Sequence, residues 1–197
     1  MKKSILVTII MIFLFTGIGF ASTNYYEIGD QTFTFQAGID KSLFLYFPVT
    51  DEFLTGENTK TDLGGYGSIS YSSFFTPSLS LGGELGYSFN YSIERKLLTT
   101  VPMLAKLNYY LVQNGKFDLT AGVGLGISFT RYDENLFVTP LIQLSLTPSY
   151  FITENWGIGV EASFANSYEF YGSNSTKHDD SVITGFMPIS LKMSYRH

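Results

Sequence analysis

His178 is one of only two histidines in this chain of 197 residues. It sits in SNSTKHDD (173–180), beside Ser175, Asp179 and Asp180. A histidine, a hydroxyl and an acid are the parts of a nucleophilic constellation, and adjacent aspartates offer oxygens to a divalent cation. The run has no ligand spacing of a dedicated metal site, however, and is polar from end to end, as solvated surface loops are. A second candidate is AGVGLG (121–126), whose glycines resemble a phosphate-cradling loop. Such a loop needs a strand before it and a helix after it, whereas these glycines alternate with Val and Leu along one extended run. Cysteine is absent, which excludes thiol chemistry and disulfides. The expectation is a chain with no catalytic residue, no metal and no cofactor.

The remaining chemistry lies in charges set among small residues. Glu84, Lys106, Glu161 and Lys192, together with Asp118, each occupy the small, polar side of an alternating segment. A glycosidase-like carboxylate pair would require an open cleft. The segments themselves point instead to an ion-pair network inside a closed structure.

Those segments number eight, and each alternates with a period of two residues. They run over 31–47, 64–75, 79–91, 98–112, 117–130, 138–151, 156–168 and 183–195. In LSLGGELGYSFNY (79–91) one face carries Leu, Tyr and Phe, and the other Ser, Gly, Asn and Glu84. Short turns (76–78, 113–116, 152–155) alternate with longer, charged loops (48–63, 92–97, 131–137, 169–182), the connectivity of an outer-membrane barrel. Eight strands enclose a lumen only wide enough for side chains. The bulky face is too large in sum for that space, so it points outwards into lipid and the small face points inwards. A soluble eight-stranded barrel would need the reverse. The fold predicted is all-β: an eight-stranded antiparallel up-and-down transmembrane β-barrel, with every backbone group paired around the ring. Pro102, Pro140 and Pro188 fall inside strands, where each removes a ladder donor; they are expected near bulges or at membrane boundaries.

The N-terminus sets the compartment. Lys2 and Lys3 precede an apolar run from Ile5 to Phe15, and Gly19-Phe20-Ala21 offers a cleavage site, so residues 1–21 read as a signal peptide. Residues 22–30 then form an N-terminal periplasmic segment and 31–197 the barrel. Losing Lys2 and Lys3 takes the formal charge from −5 to −7, which gives nucleic acid no reason to bind.

VPMLAKLNYY (101–110), AGVGLGISF (121–129), NWGIGVEASF (155–164) and MPISLKMSYR (187–196) resemble strands of the small outer-membrane barrels of Gram-negative-type bacteria, the OmpX/OmpW-like group. The resemblance implies an outer-membrane location, contact with outer-membrane lipid, and insertion by the outer-membrane assembly machinery through a C-terminal strand signal. Ile189, Leu191, Met193 and Tyr195 are similar to that signal, although the chain ends in Arg196-His197 rather than an aromatic residue.

Function is expected in the surface loops, in adhesion, contact with host or extracellular surface ligands, or envelope integrity. Asp51, Glu52, Glu57, Asp179 and Asp180 are the candidate contacts. The alternative is an OmpW-like conduit for small hydrophobic molecules, which needs an apolar pocket in the upper barrel; Phe44 and Tyr46 above Asp40, with Phe186, are its candidate lining. An aqueous pore is disfavoured by lumen size. Within the lumen, a hairpin centred near Arg95 predicts that Glu84 faces Lys106, with Glu161 and Lys192 at a comparable height.

Overall fold

The computed structural model describes residues 25–91, 96–132, 135–171 and 181–197. The predicted signal peptide lies outside them, as do Ser175, His178, Asp179 and Asp180. The described chain forms β1 (Gln31–Phe47), β2 (Glu52–Thr55), β3 (Gly64–Thr76), β4 (Leu79–Tyr91), β5 (Leu97–Gln113), β6 (Phe117–Tyr132), β7 (Asn135–Phe151), β8 (Trp156–Glu169) and β9 (Val182–Arg196). Strands β1 and β3 to β9 pair antiparallel in chain order, and β9 pairs back onto β1 from Thr32↔Arg196 to Tyr46↔Ile183. This is a closed eight-stranded barrel. Strand β2 is an addition to it: the segment 48–63, expected to be loop throughout, holds a short strand paired with the end of β1, followed by a 3-10 turn at Gly56–Thr59.

Closure follows from the alternating pattern. The outward positions keep Leu, Ile, Val, Phe and Tyr exposed on every barrel strand, including Leu81, Leu85, Leu125, Leu144, Ile158 and Leu191. The buried positions are mostly Ser, Thr, Asn, Gln and charged groups. Such an inside-out distribution is stable only where hydrocarbon covers the exterior, because no unpaired edge and few polar groups face outwards.

The strand prolines mark interruptions in the ladders. None lies at a bulge. Three interior prolines instead coincide with places where one ladder skips two pairs and resumes without a change of register. The β4–β5 ladder is broken between Leu85↔Met103 and Ser88↔Thr100, across Pro102. The β7–β8 ladder is broken between Leu146↔Ala162 and Ser149↔Gly159, across Pro148. The β8–β9 ladder is broken between Ala162↔Ile189 and Ala165↔Phe186, across Pro188. A missing N–H therefore costs one local interruption and leaves the sheet continuous on the strand's other side. Pro140 pairs with Ile127 and sits one residue beyond the last β7–β8 pair.

Among the described residues there are three register shifts, after Ser42 in β1, Phe74 in β3 and Tyr110 in β5. Each inserts one residue and switches which parity of the strand faces inwards. The second and third follow directly on Phe74 and Tyr110, the last inward residues before the parity changes at the end of the lumen carrying the short turns. The first reshapes the opposite end.

Candidate functional site

The lumen is filled in layers. At the turn end, the segment 25–30 folds across the mouth and inserts Tyr26. Its ring stacks on Phe74 at 4.1 Å and lies 5.1 Å from Tyr110. Its hydroxyl donates to Asp118 Oδ2 at 2.6 Å. Burial, then the neighbouring Tyr110 and Asp118, push the Tyr26 hydroxyl well above the usual phenol range. Arg196 completes this seal. Its guanidinium lies 4.0 Å from the Tyr25 ring and 3.5 Å from the Phe151 ring, and donates to the carbonyls of Gly115 and Glu154, both at 2.6 Å. It also stands 3.9 Å from Asp118. Arg196 thus clamps the segment 25–30.

Above a cavity of about 30 Å³ comes the charged layer. The structure brings Glu84, Lys106, Glu161 and Lys192 together. Lys106 Nζ lies 2.8 Å from Glu84 Oε2 and 2.9 Å from Glu161 Oε1, and Lys192 Nζ 3.9 Å from Glu161 Oε2. The expected register is wrong by two residues: Glu84 opposes Leu104, and Lys106 opposes Gly82. The long lysine stem spans that diagonal. It crosses Gly124, where an added Cβ would come 3.5 Å from Lys106 Cγ, and it passes near Gly122. The glycine run that mimics a phosphate loop is therefore a bed for Lys106. Neutral groups complete the layer. Tyr66 donates to Glu84 Oε1 at 2.7 Å, while Gln36 and Thr147 donate to Glu161 Oε2 at 3.1 Å each. Ser190 in turn donates to Gln36 Oε1 at 2.9 Å. These partners escaped sequence reasoning, and only their inward parity could have signalled them.

An apolar layer of Leu104, Leu141, Ala165 and Phe186 lies next. Beyond it the lumen opens, contrary to the expectation of side chains filling it throughout. A cavity of about 540 Å³ is walled by Leu45, Phe47, Leu98, Phe137, Val182 and Phe186, with Thr59–Thr61 of the first loop closing over it. Phe186 is where the sequence predicted it. Phe44 and Tyr46 are not: the bulge after Ser42 reverses their parity, so Phe44 packs outside, 6.4 Å from the outward Phe164, and Leu45 and Phe47 take the inner positions. Of the loop carboxylates, Asp51 and Glu52 are exposed, with Asp51 accepting a hydrogen bond from Tyr46, and Glu57 lies in the 3-10 turn.

A protein-family model matches residues 17–195, nearly the whole chain, and describes a family without a characterised role. The chain belongs to that family. An uncharacterised protein of Borreliella burgdorferi is 26% identical to this family member over 58% of the chain, and the match spans 64% of that relative's length. Among solved structures, the Neisserial surface protein A superposes with a TM-score of 0.56 at 12% identity, covering 85% of this chain and 96% of the other. OprG of Pseudomonas aeruginosa gives 0.54 at 10%, covering 88% and 98%. Ail, the attachment invasion locus protein of Yersinia pestis, gives 0.51 at 12%, covering 87% and 100%. All three are small outer-membrane barrels, and this family member shares their fold.

Proposed function

We propose that the protein is a non-enzymatic outer-membrane barrel that works at the cell exterior, through its loop end, by adhesion or contact with host or extracellular surface ligands. Residues 1–21 direct export, the segment from 22 to 30 lies in the periplasm, and the assembly machinery reads β9. The short turns then face the periplasm and the loops face outwards. The observation that carries this reading is the closed lumen: the Tyr26–Arg196 seal, the charged layer and the Leu104–Phe186 layer lie in series across it. With the axis blocked, contact with the surroundings is left to the exterior. Adhesion is also the role that Ail's name carries.

The test has two arms. Replacing 48–63 and 169–182 by short turns should abolish adherence of cells displaying the protein to matrix-coated surfaces and cultured cells, with the barrel still folded. The purified protein in a planar bilayer should give no ohmic steps. Steady conductance, or adherence unaffected by loop removal, would sink the proposal.

One observation favours the second reading, an OmpW-like conduit for small hydrophobic molecules: the 540 Å³ cavity at the loop end, within the size range of small-molecule sites. Solute uptake lost on filling the cavity, with adherence unchanged, would select it.

A further inference from the structure

Four carboxylates are buried among the described residues: Asp40, Glu84, Asp118 and Glu161. Three have a cation within 4 Å, Lys106, Lys192 or Arg196. Asp40 has none, although only 2% of it is exposed. One side of its carboxyl group is served by the Ser88 hydroxyl and the Lys41 backbone N–H; Oδ1 has no partner at all. An isolated buried carboxylate is too costly to be left without compensation.

Its surroundings say what would compensate it. Asp40 lines a space of about 30 Å³ together with Ser88, Gln143, Leu141 and Phe186. That is room enough for a water molecule or a group of similar size. Phe186 and Ser167 line both this space and the 540 Å³ cavity above, so the two adjoin. Three more buried oxygens without partners stand around the junction. Gln143 Oε1 belongs to the small space, and Ser42 Oγ and Thr139 Oγ1 belong to residues of the large one. The orphaned atoms are all oxygens able to accept. The walls above them are largely Leu45, Phe47, Leu98, Phe137 and Val182, with Lys60 and Glu169 also on the lining.

We infer that the loop end of the barrel is a binding site for a primary alkylammonium, its apolar tail in the large cavity and its ammonium head beside Asp40. The inference rests on the loop end facing the exterior. A primary ammonium carries one positive charge and three donors with no acceptor, which matches a carboxylate oxygen with other unserved acceptors in the lining of the two adjoining spaces. The head is small enough for the inner space, whereas a trimethylammonium is too large. Neutral and anionic amphiphiles of equal length fit the walls but leave Asp40 uncompensated or repelled.

The test uses the full-length barrel in zwitterionic detergent, titrated calorimetrically with n-heptylammonium, n-heptanol, heptanoate and heptyltrimethylammonium. Heptylammonium should bind at least tenfold more tightly than heptanol, and the other two more weakly still. Asp40→Asn should abolish the preference while leaving heptanol binding as it was. Should that variant fail to fold, the four-probe ranking on the unaltered protein decides alone. Equal binding of heptylammonium and heptanol, or a preference that survives in Asp40→Asn, overturns the inference. Binding of no probe also overturns it and leaves Asp40 satisfied by a trapped water. The surface reading stands or falls separately, because loop-dependent adherence and bilayer conductance are measured without any amine.

Discussion

The two ends of the lumen solve the same electrostatic problem in opposite ways. From the turn end to mid-barrel, every buried acid meets a base. Glu84 and Glu161 share Lys106, Lys192 flanks Glu161, and Asp118 lies beneath Arg196. Towards the loop end, Asp40 and its neighbouring oxygens are left unserved beside a cavity. The first arrangement pairs its charges with one another and rigidifies the barrel, leaving Asp118 Oδ1 as its one unpaired carboxylate oxygen among the described residues. The second keeps polar capacity in reserve for something that arrives later. A barrel with a sealed floor and an unsatisfied upper chamber is organised as a cup.

The contrast can be broken most forcefully at Lys106. Substituting Lys106→Met leaves Glu84 without its cation and Glu161 dependent on the more distant Lys192. Urea unfolding in detergent should show a loss of about 3–5 kcal/mol. Adding Glu84→Leu should recover most of it, because Glu161 and Lys192 remain as a balanced pair; simple addition of the two single losses would show that no such pairing exists. Next in size is Arg196→Ala, which removes three ring contacts, two carbonyl partners and the cation beside Asp118. A desolvated guanidinium over aromatic rings is worth about 2 kcal/mol, so a loss of that order is expected in the same assay, with faster proteolysis of the N-terminal segment.

Tyr26→Phe should cost less, about 1 kcal/mol for one buried hydrogen bond. It also has a pH signature. The folded protein holds the Tyr26 proton more tightly than the unfolded chain does. The contribution is therefore complete below the ordinary phenol value of about 10 and lost as pH rises above it. The phenylalanine variant should lack that part of the alkaline decline, and parallel pH profiles for the two proteins would show that Tyr26 plays no part in it. The smallest effect, and the one with the opposite sign, belongs to Asp40→Asn. Removing an uncompensated charge should leave stability unchanged or raise it by about 1 kcal/mol. If it destabilises the barrel as much as Lys106→Met does, the two ends do not differ.

Strand number, closure and the outward direction of the apolar face were legible in the sequence because strict alternation fixes them. The members of the charged layer were legible for the same reason: Glu84, Lys106, Glu161 and Lys192 share inward parity, and the lumen is narrow enough to bring them together. Pair-by-pair register was not. The β4–β5 register was placed two residues out, and a flexible lysine stem reaches Glu84 regardless. Bulges were equally hidden. The extra residue after Ser42 leaves no mark in an apolar run such as SLFLYF, yet it exchanges Phe44 and Tyr46 for Leu45 and Phe47 as cavity lining. The seal escaped because Tyr26 precedes the first alternating segment. Its partners Phe74, Tyr110 and Phe151 sit at strand ends, where the pattern gives no cue to long-range contact.

That seal has a consequence in time. Tyr26 touches side chains from β3, β5 and β6, and its clamp Arg196 is the last residue of β9. The contact set is complete only when Arg196 arrives with the last strand, so the segment can seat fully only as a late event of folding. Interactions made after the transition state slow escape without speeding formation. The segment should therefore act as a latch: truncating it would leave the rate of insertion nearly unchanged and shorten the lifetime of the inserted barrel.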